Sequence, residues 1–257
     1  MKFSWWPAAR LALAFVLLHS GIAEAAEFTA LLGNGLTAAM SELGPRFERS
    51  TGHKLVIRYD SAGALKRRIE SGEAFDVVIA PAIIDDLVKQ GKVVASTRAP
   101  IARADQGVAV SAGAPKPDIS SVDAFKRTLL NAKSIAYGDE GATRVYLENL
   151  FQRLGIAAEM KAKTKLQKGG DVTKAVADGE AEMGFTFISN ILPVSGAELA
   201  GRIPESLESS AFFTAAIASG AKEPAAGLAL IKYLTSSEAA PTIVKSGMVP
   251  MIAAGKE

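Results

Sequence analysis

Cysteine is absent from the 257 residues, and there are only two histidines. Without cysteine there is no disulfide framework, no thiol chemistry and no thiolate zinc site. A lipid anchor attached through an N-terminal cysteine is excluded too. His19 lies in an N-terminal segment read below as an address, which leaves His53. A Ser–His–Asp or Cys–His site needs a histidine held against a nucleophile. His53 sits in Ser50-Thr51-Gly52-His53 and reads as a solvated turn residue between a helix and a strand. These absences set the expectation of a protein that is not an enzyme. Charge of one sign is also lacking, with 29 Lys and Arg against 27 Asp and Glu. No basic field points to a nucleic-acid partner.

Long apolar runs are missing as well. The longest opening run, Leu11 to Leu18, is far short of the roughly 20 residues a membrane span needs. It follows Lys2 and Arg10 and precedes Ala23-Glu24-Ala25, an A-x-A cleavage site. Positive segment, apolar segment and small-residue site in that order read as a secretory signal peptide over 1–25. The expected mature chain starts at Ala26, carries a net charge of +1 once Lys2, Arg10 and Glu24 are removed, and works in the periplasm as a monomer.

What remains alternates between strands and helices. Phe28–Leu32, Leu55–Tyr59 and Phe75–Ala80 read as buried strands. Helices with Leu36, Met40, Leu43 and Phe47, then Leu65 and Ile69, then Ile83, Ile84 and Leu87 follow them in turn. The pattern restarts with Val108–Val110, a helix capped by Ser121, a strand over Ser134–Tyr137 and a helix over Val145–Leu154. Later strands are read at Met183–Ile188 and Ala211–Ala218, and two helices close the chain, one opened by Pro224. This predicts an α/β fold of two lobes, each a mostly parallel sheet flanked by helices. Lobe 1 is expected over 26–104 plus 209–257, and lobe 2 over 105–208.

Ligands of α/β sheets bind beyond the carboxyl ends of the strands. Four loops rich in small residues stand there: Gly33-Asn34-Gly35, Asp60-Ser61-Ala62-Gly63, Gly141-Ala142-Thr143-Arg144 and Gly169-Gly170-Asp171. Convergent helix N-termini offer free N–H groups and partial positive charge, an anion site that needs no formal cation. A rival reading takes Gly33-x-Gly35-x-x-Ala38 with Asp60 as a dinucleotide fingerprint. An export signal argues against it, because nicotinamide cofactors are scarce outside the cytoplasm.

With these motifs placed, the chain resembles the periplasmic molybdate-binding proteins of ABC importers, which have the type II periplasmic-binding fold. The resemblance is carried by Gly35-Leu36-Thr37-Ala38-Ala39-Met40, by Ala64 to Gly72 followed by Phe75-Asp76-Val77-Val78-Ile79, by Val145-Tyr146-Leu147 with Leu154-Gly155, by Gly170-Asp171-Val172, and by Tyr233-Leu234-Thr235-Ser236. It implies a clam that closes on a tetrahedral oxyanion through hydroxyls and backbone N–H groups, with no cofactor and no metal, and then docks on an inner-membrane permease. The implied ligand-binding positions are Asn34, Gly35, Ser61, Ala62, Thr143, Arg144, Val172 and Phe187. Gly35, Ala62 and Phe187 stand where the family places two serines and a tyrosine. Asn34, Ser61, Thr143, Thr173 and Arg144 are the candidate replacements, and Arg144 could clamp a carboxylate or phosphate. The alternatives are therefore an organic or phosphorylated acid as ligand, or an exported enzyme or sensor on the same fold. Two carboxylates facing the cleft, or His53 pointing into it, would signal chemistry. Asp139 and Glu140 read as solvated loop residues.

Overall fold

The computed structural model describes residues 25–168, 171–207 and 210–252. The segment read as a signal peptide lies outside the described residues, as do Gly169, Gly170 and Ser209. The described residues form ten strands: β1 Glu27–Gly33, β2 Lys54–Asp60, β3 Val77–Pro81, β4 Ala99–Ser111, β5 Ile135–Gly138, β6 Thr164–Gln167, β7 Met183–Phe187, β8 Ala197–Arg202, β9 Ser210–Ile217 and β10 Met248–Pro250. The helices are α1 Thr37–Thr51, α2 Ala62–Glu70, α3 Ile84–Lys89, α4 Val122–Asn131, α5 Ala142–Leu154, α6 Ala157–Lys163, α7 Val172–Ala177, α8 Ile188–Ile191, α9 Pro224–Leu234 and α10 Ala240–Lys245.

The strands run in the order β2-β1-β3-β9-β4-β7-β5-β6, with β8 and β10 also on β4. Pairs β1/β2, β1/β3, β5/β6 and β5/β7 are parallel, as strand–helix–strand units require. Strands β4 and β9 are antiparallel to their neighbours and join the two groups. Strand β4 pairs with β9 and β10 over Ala99–Asp105, then with β7 and β8 from Gln106 onward. Only Val108–Val110 reads as strand in the sequence, because Arg103, Asp105 and Gln106 break the apolar run. Their polarity serves the strand's middle. Asp105 is buried there, accepts a bond from Ser210 Oγ, and pairs with Arg202 at 2.8 Å and Arg103 at 3.4 Å.

Two sets of buried side chains follow this division. One gathers Phe28, Leu32, Met40, Leu43, Phe47, Ile79, Ile217 and Leu230. The other gathers Val108, Phe125, Leu129, Ile135, Leu150, Phe151 and Phe185. Each side chain of this size contributes about 1.5–3 kcal/mol when fully buried. Local signals agree with the packing. Ser121 Oγ accepts the Ala124 N–H at 3.2 Å and so caps α4. Asp76 does more than end a loop: its carboxylate accepts N–H bonds from Thr29 on β1 and from Lys222 and Glu223 ahead of α9, all at 2.8–2.9 Å. His53 is buried rather than solvated. Its ring stacks on Phe47, meets Phe28 edge-on, and accepts the Ala26 N–H through Nδ1 at 3.2 Å. It therefore fills the outer edge of the sheet.

Candidate functional site

A cleft lies where the carboxyl ends of β1, β2, β5 and β7 meet the starts of α2 and α5. It is lined by residues of both groups of strands: Asn34, Asp60, Ser61, Ala62 and Phe213 on one side, and Glu140, Thr143, Val172, Thr186, Phe187 and Asn190 on the other. Among the described lining residues there is no Lys, Arg or His. Attraction for an anion falls to backbone N–H groups. The first turns of α2 and α5 leave the N–H groups of residues 62–63 and 142–144 without intrahelical acceptors. Each helix start carries about half a positive charge. Gly141 makes the second start possible, holding φ at 94°, a left-handed value that favours glycine.

Ser61 is the best-placed hydroxyl. Its Oγ accepts the Ala64 N–H at 3.1 Å, capping α2, and donates to Glu140 Oε1 at 2.5 Å. Thr143 Oγ1 is bonded to the carboxamide of buried Gln106, 3.0 Å from Nε2. Thr173 is fully buried and donates to the Asn190 carbonyl at 3.1 Å. Thr186 Oγ1 accepts from Asn190 Nδ2 at 3.0 Å.

Six of the eight expected positions line the cleft: Asn34, Ser61, Ala62, Thr143, Val172 and Phe187. Gly35 sits behind its floor. A Cβ there would come within 2.7 Å of Phe213 Cζ, so a phenyl ring occupies the space into which a serine would project. Phe213 packs against Phe187 in a T-shaped pair with centroids 5.5 Å apart. Gly33 also abuts this ring, so the two glycines fit an aromatic edge rather than a pyrophosphate, and the dinucleotide reading falls. The cleft opens into a wider, apolar groove walled by Ile83, Val145, Tyr146 and Phe212.

Arg144 is a correction. It lines a separate hollow with Glu148 and Lys161. Its Nε donates to Glu148 Oε1 at 2.8 Å, and its guanidinium also donates to the Asp139 carbonyl. It therefore faces that hollow rather than the cleft.

Glu140 is the second correction. It is a wall of the cleft, not a solvated loop residue. From the loop before α5 it reaches across to α2, bonding Ser61 Oγ and pairing with Arg67 NH1 at 2.5 Å. Arg67, then Ser61, hold its carboxyl below the usual glutamate value. Asp60 faces the same cleft, accepts the Ser61 N–H at 2.8 Å, and lies 3.4 Å from Arg68. Each acidic wall residue thus has its own arginine behind it. Asp60 and Glu140 are two carboxylates in the lining of one cleft. Phe213, Thr186 and Asn190 were not foreseen, since nothing in the sequence of β9, β7 or the short helix α8 tells which face turns to a cleft.

The chain matches the profile of the bacterial extracellular solute-binding protein family over residues 28–249. It is 36% identical to an aconitate isomerase of Pseudomonas sp over 94% of this chain and 96% of that one. It is 28% identical to the molybdate-binding protein of Azotobacter vinelandii, over 88% and 90% of the two chains. The solved molybdate-binding protein of Azotobacter vinelandii superposes with a TM-score of 0.72 at 18% identity, covering 86% of this chain and 98% of that one. The fold is that of the type II periplasmic binding proteins. An enzyme so similar over nearly the whole length overturns the expectation of a non-catalytic protein. Profile and relatives agree on the larger grouping, and the chain belongs to the bacterial extracellular solute-binding protein family.

Proposed function

We propose that this protein closes on a small polycarboxylate and isomerises its carbon–carbon double bond, with aconitate as the substrate to test first. The observation that carries the reading is a cleft whose lining includes two carboxylates, Asp60 and Glu140, together with the aromatic pair Phe187 and Phe213. A tetrahedral metal oxyanion wants hydroxyl and N–H donors all round. Here two hydroxyl positions are glycine and alanine, and a third is phenylalanine. A carbon skeleton suits that aromatic pair, and its carboxylates suit the starts of α2 and α5. Aconitate is a propene tricarboxylate. Changing the geometry of its double bond requires transient loss of the π bond, which proton transfer along the three-carbon unit provides. The similarity to an aconitate isomerase supports the same substrate class.

In this reading the segment 1–25 is removed on export and the protein acts in the periplasm. Lobes over 26–104 with 209–257, and over 105–208, close about β4 and β9. The family and the molybdate-binding relatives support a second role, delivery of the bound acid to an inner-membrane permease. The test is proton NMR of the vinyl signals of pure cis- or trans-aconitate with residues 26–257. Conversion far above the buffer rate is expected. A thermal-shift series runs beside it, where a ligand at 100 times its Kd adds about 2.7 kcal/mol. No conversion, together with a melt raised by molybdate or tungstate and not by aconitate, would overturn the proposal.

A further inference from the structure

We infer that Glu140 is the acid–base residue of this isomerisation, delivered to the substrate by closure of the cleft; the inference rests on the function proposed above. Three observations carry it. Glu140 lines the cleft directly. Its carboxylate is held by two groups from the opposite side, Ser61 Oγ and Arg67 NH1, each at 2.5 Å. It lies against the start of α2, with Oε2 3.5 Å from where a Cβ on Gly63 would stand.

That position is where a substrate carboxylate would bind. Glu140 therefore occupies the anion slot of α2. An incoming carboxylate competes for Ser61 Oγ–H and the first N–H groups of α2. Glu140 then loses a donor and gains anionic neighbours, and both changes raise its affinity for a proton. Arg67 keeps it in place, and it remains at the wall of the cleft. Asp60 is less suited. Its Oδ1 is bound by the Ser61 N–H and its Oδ2 faces Arg68, both from its own side of the cleft.

The step balances without a co-reactant. A C–H bond at the substrate's methylene carbon breaks and the proton goes to a Glu140 oxygen. The electron pair spreads over the three-carbon unit and its carboxylate. The same proton, or one exchanged with water, is returned by Glu140 to the other end of that unit. A new C–H bond forms, the double bond has moved, and the Glu140 carboxylate is restored. General acid–base assistance of this kind is worth about 10²–10⁴-fold.

The test is Glu140→Gln in the full mature chain, read by kcat, KM and direct binding of aconitate by calorimetry. A kcat at least 100-fold lower is expected, with affinity unchanged or tighter because one like charge is gone. Glu140→Asp, which shortens the reach, should retain part of the rate, and Asp60→Asn should retain more than Glu140→Gln. The wild-type kcat should fall at low pH as one group takes up a proton, and the residual rate of E140Q should lose that limb. An E140Q kcat within fivefold of wild type would overturn the role of Glu140 alone, leaving the isomerase reading standing. A loss of affinity with unchanged kcat would make Glu140 a clasp and overturn its acid–base role. A wild-type protein that binds aconitate and does not convert it would overturn the function itself, and with it this role.

Discussion

The phenyl ring of Phe213 fills the space into which a side chain at position 35 would project, and Gly35→Ser tests that packing. A Cβ at position 35 would stand 2.7 Å from Phe213 Cζ and 3.4 Å from Cε1 and Cε2. Carbon atoms pack best at about 3.5–4.0 Å. The ring is 1% exposed and confined by Gly33, Pro81 and Phe187, so it cannot swing into open space. Overpacking of this kind costs about 1–3 kcal/mol. At about 2–4 °C per kcal/mol for a chain of this size, G35S should melt about 2–12 °C below wild type. Phe213→Ala removes the ring and should cost about 3–5 kcal/mol. In the double variant the serine enters the space the ring vacates. Its loss should be about 1–2 kcal/mol smaller than the sum of the singles, within the range known for residues in contact. Urea unfolding of the four proteins closes the cycle. A neutral G35S, or singles that simply add, would refute the account of the cleft floor.

Three further outcomes are expected. Asp76→Ala leaves three N–H groups without their acceptor, two of them just ahead of α9, so it should lose on the order of 2–4 kcal/mol in urea unfolding, and a loss under 0.5 kcal/mol would contradict the bonding described. Glu73 is held at about 2, chiefly by its bond to Arg68 and then by Arg58. Its contribution is present above the ordinary glutamate value and is lost as pH falls from about 4.5 toward 2. Between pH 6 and 2 the stability of Glu73→Gln should fall less steeply than wild type, and superimposable curves would count against the pairing. Arg144→Ala removes an exposed pair with Glu148, worth a few tenths of a kcal/mol, and a bond to the Asp139 carbonyl, both with partners outside the cleft lining, so aconitate affinity should change less than twofold. A tenfold loss in calorimetry would return Arg144 to the cleft.

The alternation of strand and helix was legible because buried parallel strands are short apolar runs and the helices between them carry apolar stripes. Serine punctuation was legible at α4, which starts where Ser121 caps it; Ser61, read as part of a loop, also proves to cap its helix, α2. Strands β6 and β8 were not, since no residue of TKLQ or AELAGR is fully buried and neither holds an apolar run. The loops of the site could be located, because ligands gather where strands end. The direction of each side chain could not. Arg144 and Glu140 are four residues apart on either side of the start of α5. The arginine's partner, Glu148, lies one turn along the same helix and turns it outward. The glutamate's partners, Ser61 and Arg67, lie some 70–80 positions away in the chain, a pairing that only the folded sheet creates.

That long-range pairing also explains how a capture fold can host proton transfer. A cleft that ends on two helix starts already supplies backbone N–H groups for charge that develops during reaction. It lacks only a base. In the mechanism proposed above, a glutamate placed in the cleft's own anion slot supplies one, and Ser61 and Arg67 hold it there. Substrate frees it by taking the same slot. The base is then strengthened by the ligand it is to act upon, and only in the closed arrangement, where both sides of the cleft meet. The departures from a hydroxyl-lined oxyanion site follow one logic. Gly35 and Phe213 exchange a donor for an apolar surface, and Glu140 exchanges a passive wall for a proton carrier. Each change alone weakens capture of a tetrahedral oxyanion, and together they favour a carboxylate with carbon–hydrogen bonds to break.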